Sequence, residues 1–479
     1  MKKRWLALAA AALLLVGTCS CSGGLGGSGK FKDLKTEFEA VDMGGATITI
    51  KALVPSTFGF SEGEDDTSKQ ERNWKAYVED KYNCTLQMEA LLAGSAQTAL
   101  IPAMLAGSAE WDILSCQRLD IMPMRLAGDL LCNLQEVKSM DITDKRWDQG
   151  YVAVETYGPA TYSVATKAST AQSGFVVNLD LLSTLKDVDD PFEQVQNYTW
   201  DYDAFIKLCK AATEDIDGNT VMDTNDRYGV YLQSPAYYGM LLSNGIRLLT
   251  CDDTGKLTYS FHTQNTIDTI NYLKEHLVTP NLIAPTRSDQ YYDKAFKEGK
   301  ILMVAMPDWY AGQVMNAVEM NVGWLPVPLG PKGEKKYVNY IDQWMGGYAI
   351  PATSKNPEYA GSIIMEYIYC AQYGLDAVDE NFEFSVFNGH EGSINARKLV
   401  LSEGGTSDYY SAELGGGEAY LYAHEAFYEA EKDIATLLET IQDKMQTEID
   451  TVYNRKGGTT ATTTGSAALD TTTPAQAKE

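Results

Sequence analysis

The sequence is poor in the residues on which much catalysis depends. Only four of its 479 residues are histidine, His262, His276, His390 and His424. It contains no H-E-x-x-H, no G-x-S-x-G and no glycine-rich loop closed by Lys and Ser/Thr, so the signatures of a zinc protease, a serine hydrolase and a phosphate-loop NTPase are missing. None of its eight cysteines forms a C-x-x-C pair, and neither a zinc ribbon nor a dithiol redox centre is indicated. Beyond the N-terminus no run approaches the roughly 18–20 apolar residues that a spanning helix needs. Positive charge is the minority sign: 39 Lys and Arg face 65 Asp and Glu, a net charge of −26. Nucleic acid and anionic lipid are therefore disfavoured partners. Carboxylates are too numerous for counting to exclude a glycosidase pair, but no other feature points to an enzyme.

What is present begins with an address. Lys2, Lys3 and Arg4 precede the apolar run Leu6 to Val16, which is too short to span a bilayer, so residues 1–21 read as a signal peptide. Small residues flank Cys19 and Cys21, and this stretch resembles a bacterial lipobox with Cys21 (or Cys19) as the lipidated residue. Residues 22–45 read as a Gly/Ser-rich tether and 457–479 as a Thr/Ala-rich tail without apolar period, expected to be disordered. Export permits disulfides among Cys84, Cys116, Cys132, Cys209, Cys251 and Cys370, but no pairing follows from their spacing, and apolar contexts suit buried thiols equally.

The body alternates strands with helices. Thr47 to Val54 reads as a strand with Ile48, Ile50 and Ala52 on one face, and Ser68-x-x-Glu71 reads as a capping box opening a helix with Trp74, Val78 and Tyr82 inside. Strands at 84–91 and 111–116 flank a helix at 96–106, and the order βαβαβ implies a parallel sheet covered by helices. Residues 151–157 and 160–166 read as a hairpin about Gly158-Pro159. Gly174 to Asn178, Ile301 to Met306, Val322 to Val327 and Tyr348 to Pro351 read as further strands. Helices are expected at 202–212, 357–372 and within 418–453. The chain crosses between two lobes more than once: 46–165 mainly the first, 166–345 mainly the second, and 346–456 a return to the first with C-terminal helices.

Several ordered segments are similar to the extracellular solute-binding proteins that serve sugar ABC transporters. Met104 to Leu114 resembles the family's helix, small-residue turn and strand, with Trp111 where proline is usual. Leu126-Ala127-Gly128-Asp129-Leu130-Leu131 follows. Val177 to Leu182, Asp190-Pro191 and Tyr198 to Phe205 form the most recognisable stretch. Phe296 to Lys300, Trp324 to Pro328 and Tyr348 to Pro351 complete the series. The resemblance implies an α/β, two-lobed periplasmic-binding-protein-like fold with a hinge and an interlobe ligand cleft.

In open α/β sheets ligands sit beyond the carboxyl ends of the strands, which directs attention to Glu62, Asp65, Arg118 and Asp120. A sugar needs flat aromatic platforms and paired polar groups. Trp344 and Trp309 are the candidate platforms, Asp308 and Tyr237 their companions, whereas Trp74, Trp111 and Trp200 suit packing. Asp215, Asp217, Asn219, Val221 (by its carbonyl), Asp223 and Asp226 stand at positions one, three, five, seven, nine and twelve of a loop, the spacing with which a single short loop wraps calcium. Thr220 replaces the usual glycine and Asp226 the usual closing Glu. The expected role of the ion is structural.

Together these features imply a monomeric, exported receptor, lipid-anchored on the outer face of the cell membrane. It would bind a mono- or oligosaccharide and deliver it to the permease subunits of an ABC importer. Two alternatives keep the fold: a surface lipoprotein for sensing or polysaccharide capture, and an importer receptor for a peptide or other solute.

Overall fold

Ile48, Ile50 and Ala52 all face inward from β1 (Ala46–Ala52), as their alternation requires. β1 pairs in parallel with β2 (Cys84–Ala90) and β3 (Ile113–Gln117), through Ile48↔Leu86 and Ile50↔Ile113. The computed structural model describes residues 38–452 except 54–56, 61, 65, 93, 129, 168–169, 233, 255, 286–288, 318, 341–344, 369–382, 384–385, 404, 407–426 and 429–432. Residues 22–37 of the tether, the tail, Cys19, Cys21, Asp65, Trp344 and Cys370 lie outside the described residues; the last part of the tether is packed rather than free, with Met43 buried and its amide donating to the Tyr82 carbonyl.

The helix Asp66–Tyr82 links β1 to β2 and buries Trp74, Val78 and Tyr82. It begins two residues before the capping box read from the sequence. Ser68 and Glu71 lie buried inside the helix rather than at its start. Between β2 and β3 a π-type turn, Ala96–Leu100, passes into the helix Ile101–Leu105 and ends at Gly107, whose φ of 65° is left-handed. Residues 151–154, read as strand, belong instead to the helix Gln149–Val154. Asp148 caps it by accepting from the Tyr151 amide, and Tyr151, Val152 and Val154 are buried. Only Thr156–Tyr157 and Ala160–Thr161 form the hairpin.

The second sheet contains β4 (Gly174–Asn178), β5 (Tyr228–Tyr231), β6 (Ile301–Ala305) and β7 (Val322–Pro326), in the order β7-β4-β6-β5. Every residue of these strands is buried, as fits a sheet covered on both faces. The helix Tyr202–Ala212 presents Phe205, Leu208, Cys209 and Ala212 to this core, and Asp201 caps it through the Ala204 amide. At Gly229 a Cβ would stand 2.4 Å from the Cys209 Cα, so only glycine permits this approach of strand to helix.

The chain then returns to the first sheet. β8 (Gly346–Ala349) pairs antiparallel with β3, and helical residues 357–368 bring Ile363, Ile364 and Ile368 into the first core. The first-lobe packing read for 346–456 ends there. The helices Glu391–Glu403 and Ile434–Val452 place Ala396, Val400, Leu438, Ile441 and Met445 in the apolar core of the second lobe. Cys84, Cys116, Cys132 and Cys209 are free thiols. Among the described residues no helix is long and apolar enough to cross a membrane.

Candidate functional site

The carboxyl ends of β1, β2 and β3 lead into residues 53–64, 91–96 and 118–120. Those of β5 and β6 lead into 232–238 and 306–310. Met122 and Tyr157, from the first-lobe side, join the apolar cluster of the second lobe, so these surroundings meet between the lobes.

Four residues expected to touch ligand here face inward. Arg118 is wholly buried and its Nε donates to Glu155 Oε1 at 2.7 Å. Burial pushes the Glu155 carboxyl above the usual range, and the Arg118 guanidinium pulls it back. Asp120, also buried, accepts from the Ala96 amide at 3.0 Å and the Gly94 amide at 3.2 Å, so it secures the loop after β2. Asp308 is buried against Arg397, whose Nε donates to its Oδ2 at 2.7 Å. Tyr237 is fully buried, its ring centroid 4.5 Å from that of Phe427. A charge near a strand end is visible in sequence, but whether it points into the cleft or into a buried partner is not. Glu155 and Arg397 carry no local signal, being 37 and 89 residues from the groups they pair with.

Glu62 is exposed. It borders an open hollow of about 580 Å³ with Phe60, Arg72 and Lys75. Arg72 donates to the Gly63 carbonyl at 2.6 Å, and the Lys75 ammonium lies 5.3 Å from the Phe60 ring centre. The loop is held at its root by Phe58, which is buried at φ 59° and stacked on Tyr367 at 4.3 Å.

Trp309 stands apart from the other described tryptophans. Trp74, Trp111, Trp147, Trp200 and Trp324 are all buried, the last three completely, whereas Trp309 is partly exposed directly after β6. Its indole Nε1 is itself out of water, with no hydrogen-bond partner among the described residues. What the residue exposes directly after β6 is therefore the apolar part of its ring.

On the far side of the second lobe, the loop between the helix Tyr202–Ala212 and β5 draws Asp215, Asp217 and Asp226 together, with donor oxygens within 4.8 Å of one another. Asp215 accepts from the Gly218 and Thr220 amides, and Asp226 from those of Ile216 and Asp223. Thr220 supplies at φ 68° the left-handed turn for which glycine is usual. The Asp223 carboxylate turns to the Asn225 amide and stays outside the three gathered carboxylates, whereas Asn219 accepts from the Val221 amide and donates its Nδ2 to Asp217 Oδ2 at 2.9 Å. Arg227 beside the loop pairs with Glu214 and leaves the three acids without that counter-charge. This donor set suits a hard cation.

The model of the bacterial extracellular solute-binding proteins matches residues 62–364, well over half of the 479-residue chain. The chain belongs to this family. Solved structures similar to this solute-binding protein cover most of its length. The cyclo/maltodextrin-binding protein complexed with maltotetraose has a TM-score of 0.59 and 16% identity, over 84% of this chain and 97% of that one. UspC of M. tuberculosis has 0.59 and 16%, over 84% and 100%. The GacH receptor of Streptomyces glaucescens, solved unliganded and with acarbose and an acarbose homologue, has 0.55 and 16%, over 85% and 99%. At these identities the likeness establishes the two-lobed fold. No curated protein matches the sequence at a comparable level of significance. The family is one of binding proteins, and in this member the buried Arg118–Glu155 and Asp308–Arg397 pairs brace the loops around the cleft.

Proposed function

We propose that this solute-binding protein captures a carbohydrate between its lobes and delivers it to the permease of an ABC importer, held to the outer face of the membrane by a lipid on Cys21. The observation that carries the carbohydrate reading is Trp309, the one described tryptophan that is partly exposed, set at a strand end where open α/β folds bind ligand. A sugar ring stacks on such an apolar surface. The maltotetraose and acarbose complexes of similar folds support the same ligand class. Calcium is assigned to Asp215, Asp217 and Asp226, where it would offset three clustered negative charges and fix the turn between helix and β5.

Thermal unfolding of the purified protein with maltose, maltotriose, maltotetraose, a short peptide and spermidine tests this. A saturable rise in midpoint is expected from a saccharide, since a ligand of the folded state at a hundred times its Kd adds about 2.7 kcal/mol. Trp309→Ala should weaken that binding by at least tenfold, on the order of 1.4–2 kcal/mol for a buried aromatic anchor. Chelation should lower the midpoint and added calcium restore it. A rise from peptide or spermidine alone contradicts the carbohydrate assignment, and a midpoint indifferent to chelator contradicts calcium.

A further inference from the structure

The buried Asp308 carboxylate joins three segments that the sequence keeps far apart. It lies just past β6 and immediately before Trp309. Its Oδ2 accepts from the Ala171 amide at 2.8 Å and from Arg397 Nε at 2.7 Å, and its own amide donates to the Ala171 carbonyl at 3.0 Å. Ala171 belongs to the segment by which the chain enters the second lobe, three residues ahead of β4. Arg397 comes from the helix Glu391–Glu403, which is fastened over β7 where Ser393 Oγ accepts from the Trp324 amide at 3.0 Å.

The Arg397 side chain is 2% exposed and that of Asp308 0%. A pair so buried is a poor device for stability, because desolvation offsets most of the attraction and apolar side chains of equal volume do as well. What it supplies is direction: a planar guanidinium and a carboxylate meet in one geometry. Here that geometry sets the base of the Trp309 loop and the segment entering the lobe.

We propose that Arg397 is a positioning residue for ligand capture: through Asp308 it locks the Trp309 platform and the Ala171 crossing segment into one unit, so that stacking on the ring bears directly on lobe closure. This rests on the carbohydrate reading for what stacks, but the positioning is measurable without ligand. Glu366 provides the contrast. It is equally buried and accepts from Tyr82 Oη at 2.8 Å and Lys81 Nζ at 3.0 Å, at the edge of the first sheet where β2 begins, opposite the cleft.

The test is fluorine NMR of the protein labelled with 5-fluorotryptophan, the Trp309 line being assigned by its loss in Trp309→Phe. Arg397→Gln should shift or split that line and weaken maltotetraose binding at least tenfold, and Arg397→Lys should recover part of both. Glu366→Gln should move neither, while lowering the thermal midpoint. Should Arg397→Gln fail to fold, Asp308→Asn, which keeps an acceptor for the Ala171 amide and removes the charge, carries the same comparison. An unmoved Trp309 line in a folded Arg397→Gln or Asp308→Asn variant overturns the proposal. If the wild-type protein binds no maltotetraose, the carbohydrate reading falls, and the fluorine comparison still decides the positioning role.

Discussion

Arg118 and Glu155 illustrate how a charge placed beside a strand end can be engaged by a buried partner. Both side chains are fully out of water, and the Arg118 amide also donates to the Met345 carbonyl at the strand that returns from the second lobe. Replacing Glu155 by Ala leaves a buried guanidinium without its carboxylate and should cost about 3–5 kcal/mol. A urea denaturation series measures this, and a loss within experimental error would show the pair to be dispensable. The same reasoning marks the limit of sequence at this scale. Arg118, Asp120 and Asp308 stood out as charges beside strand ends, and their positions are right. Their directions are set by Glu155, the Gly94 and Ala96 amides, and Arg397, which only the fold brings near. Trp309 lies at the strand end the sequence indicated and is the one described tryptophan left partly exposed, since an indole directly after a buried strand has little core left to enter.

Elements with a clear period were read correctly. The face of β1 and the inner face of Tyr202–Ala212 follow from apolar spacing alone. The stretch 151–154 was not, since six residues cannot separate a helical from an extended period and the decision falls to the Asp148 cap and to burial of Tyr151. The loop at 215–226 shows the same division: spacing located the cluster, but the fold turns Asp223 away from it. A histidine cap gives the helix Glu391–Glu403 a pH dependence. His390 Nδ1 accepts from the Ser393 amide at 3.2 Å, which requires the neutral ring. Burial lowers the His390 pKa below its usual 6.5, against the opposing charge of Asp190. Protonation removes the acceptor and sets a positive charge at the positive end of the helix dipole. With the folded pKa below the unfolded one, the contribution is complete above about pH 6.5 and is lost as pH falls through the depressed folded value. The thermal midpoint should therefore drop on acidification, and less steeply in His390→Asn, whose side chain caps at any pH. Equal slopes in the two proteins would exclude His390 as the source.

For the whole molecule, the chain's repeated crossing gives two sheets with separate cores, and this architecture was legible because strand and helix signals alternate in a fixed order. The late return of the helices Glu391–Glu403 and Ile434–Val452 to the second lobe was not, since an amphipathic helix does not say which core it completes. Two lobes joined by crossing segments can close on a ligand only if it contacts both. Small-angle scattering of the purified protein, with and without saturating maltotetraose, tests that claim most directly. A smaller radius of gyration with the saccharide, and none with a short peptide or spermidine, is the expected result. Scattering unchanged by any saccharide, or compaction by peptide or spermidine instead, would contradict a carbohydrate receptor that closes on its ligand.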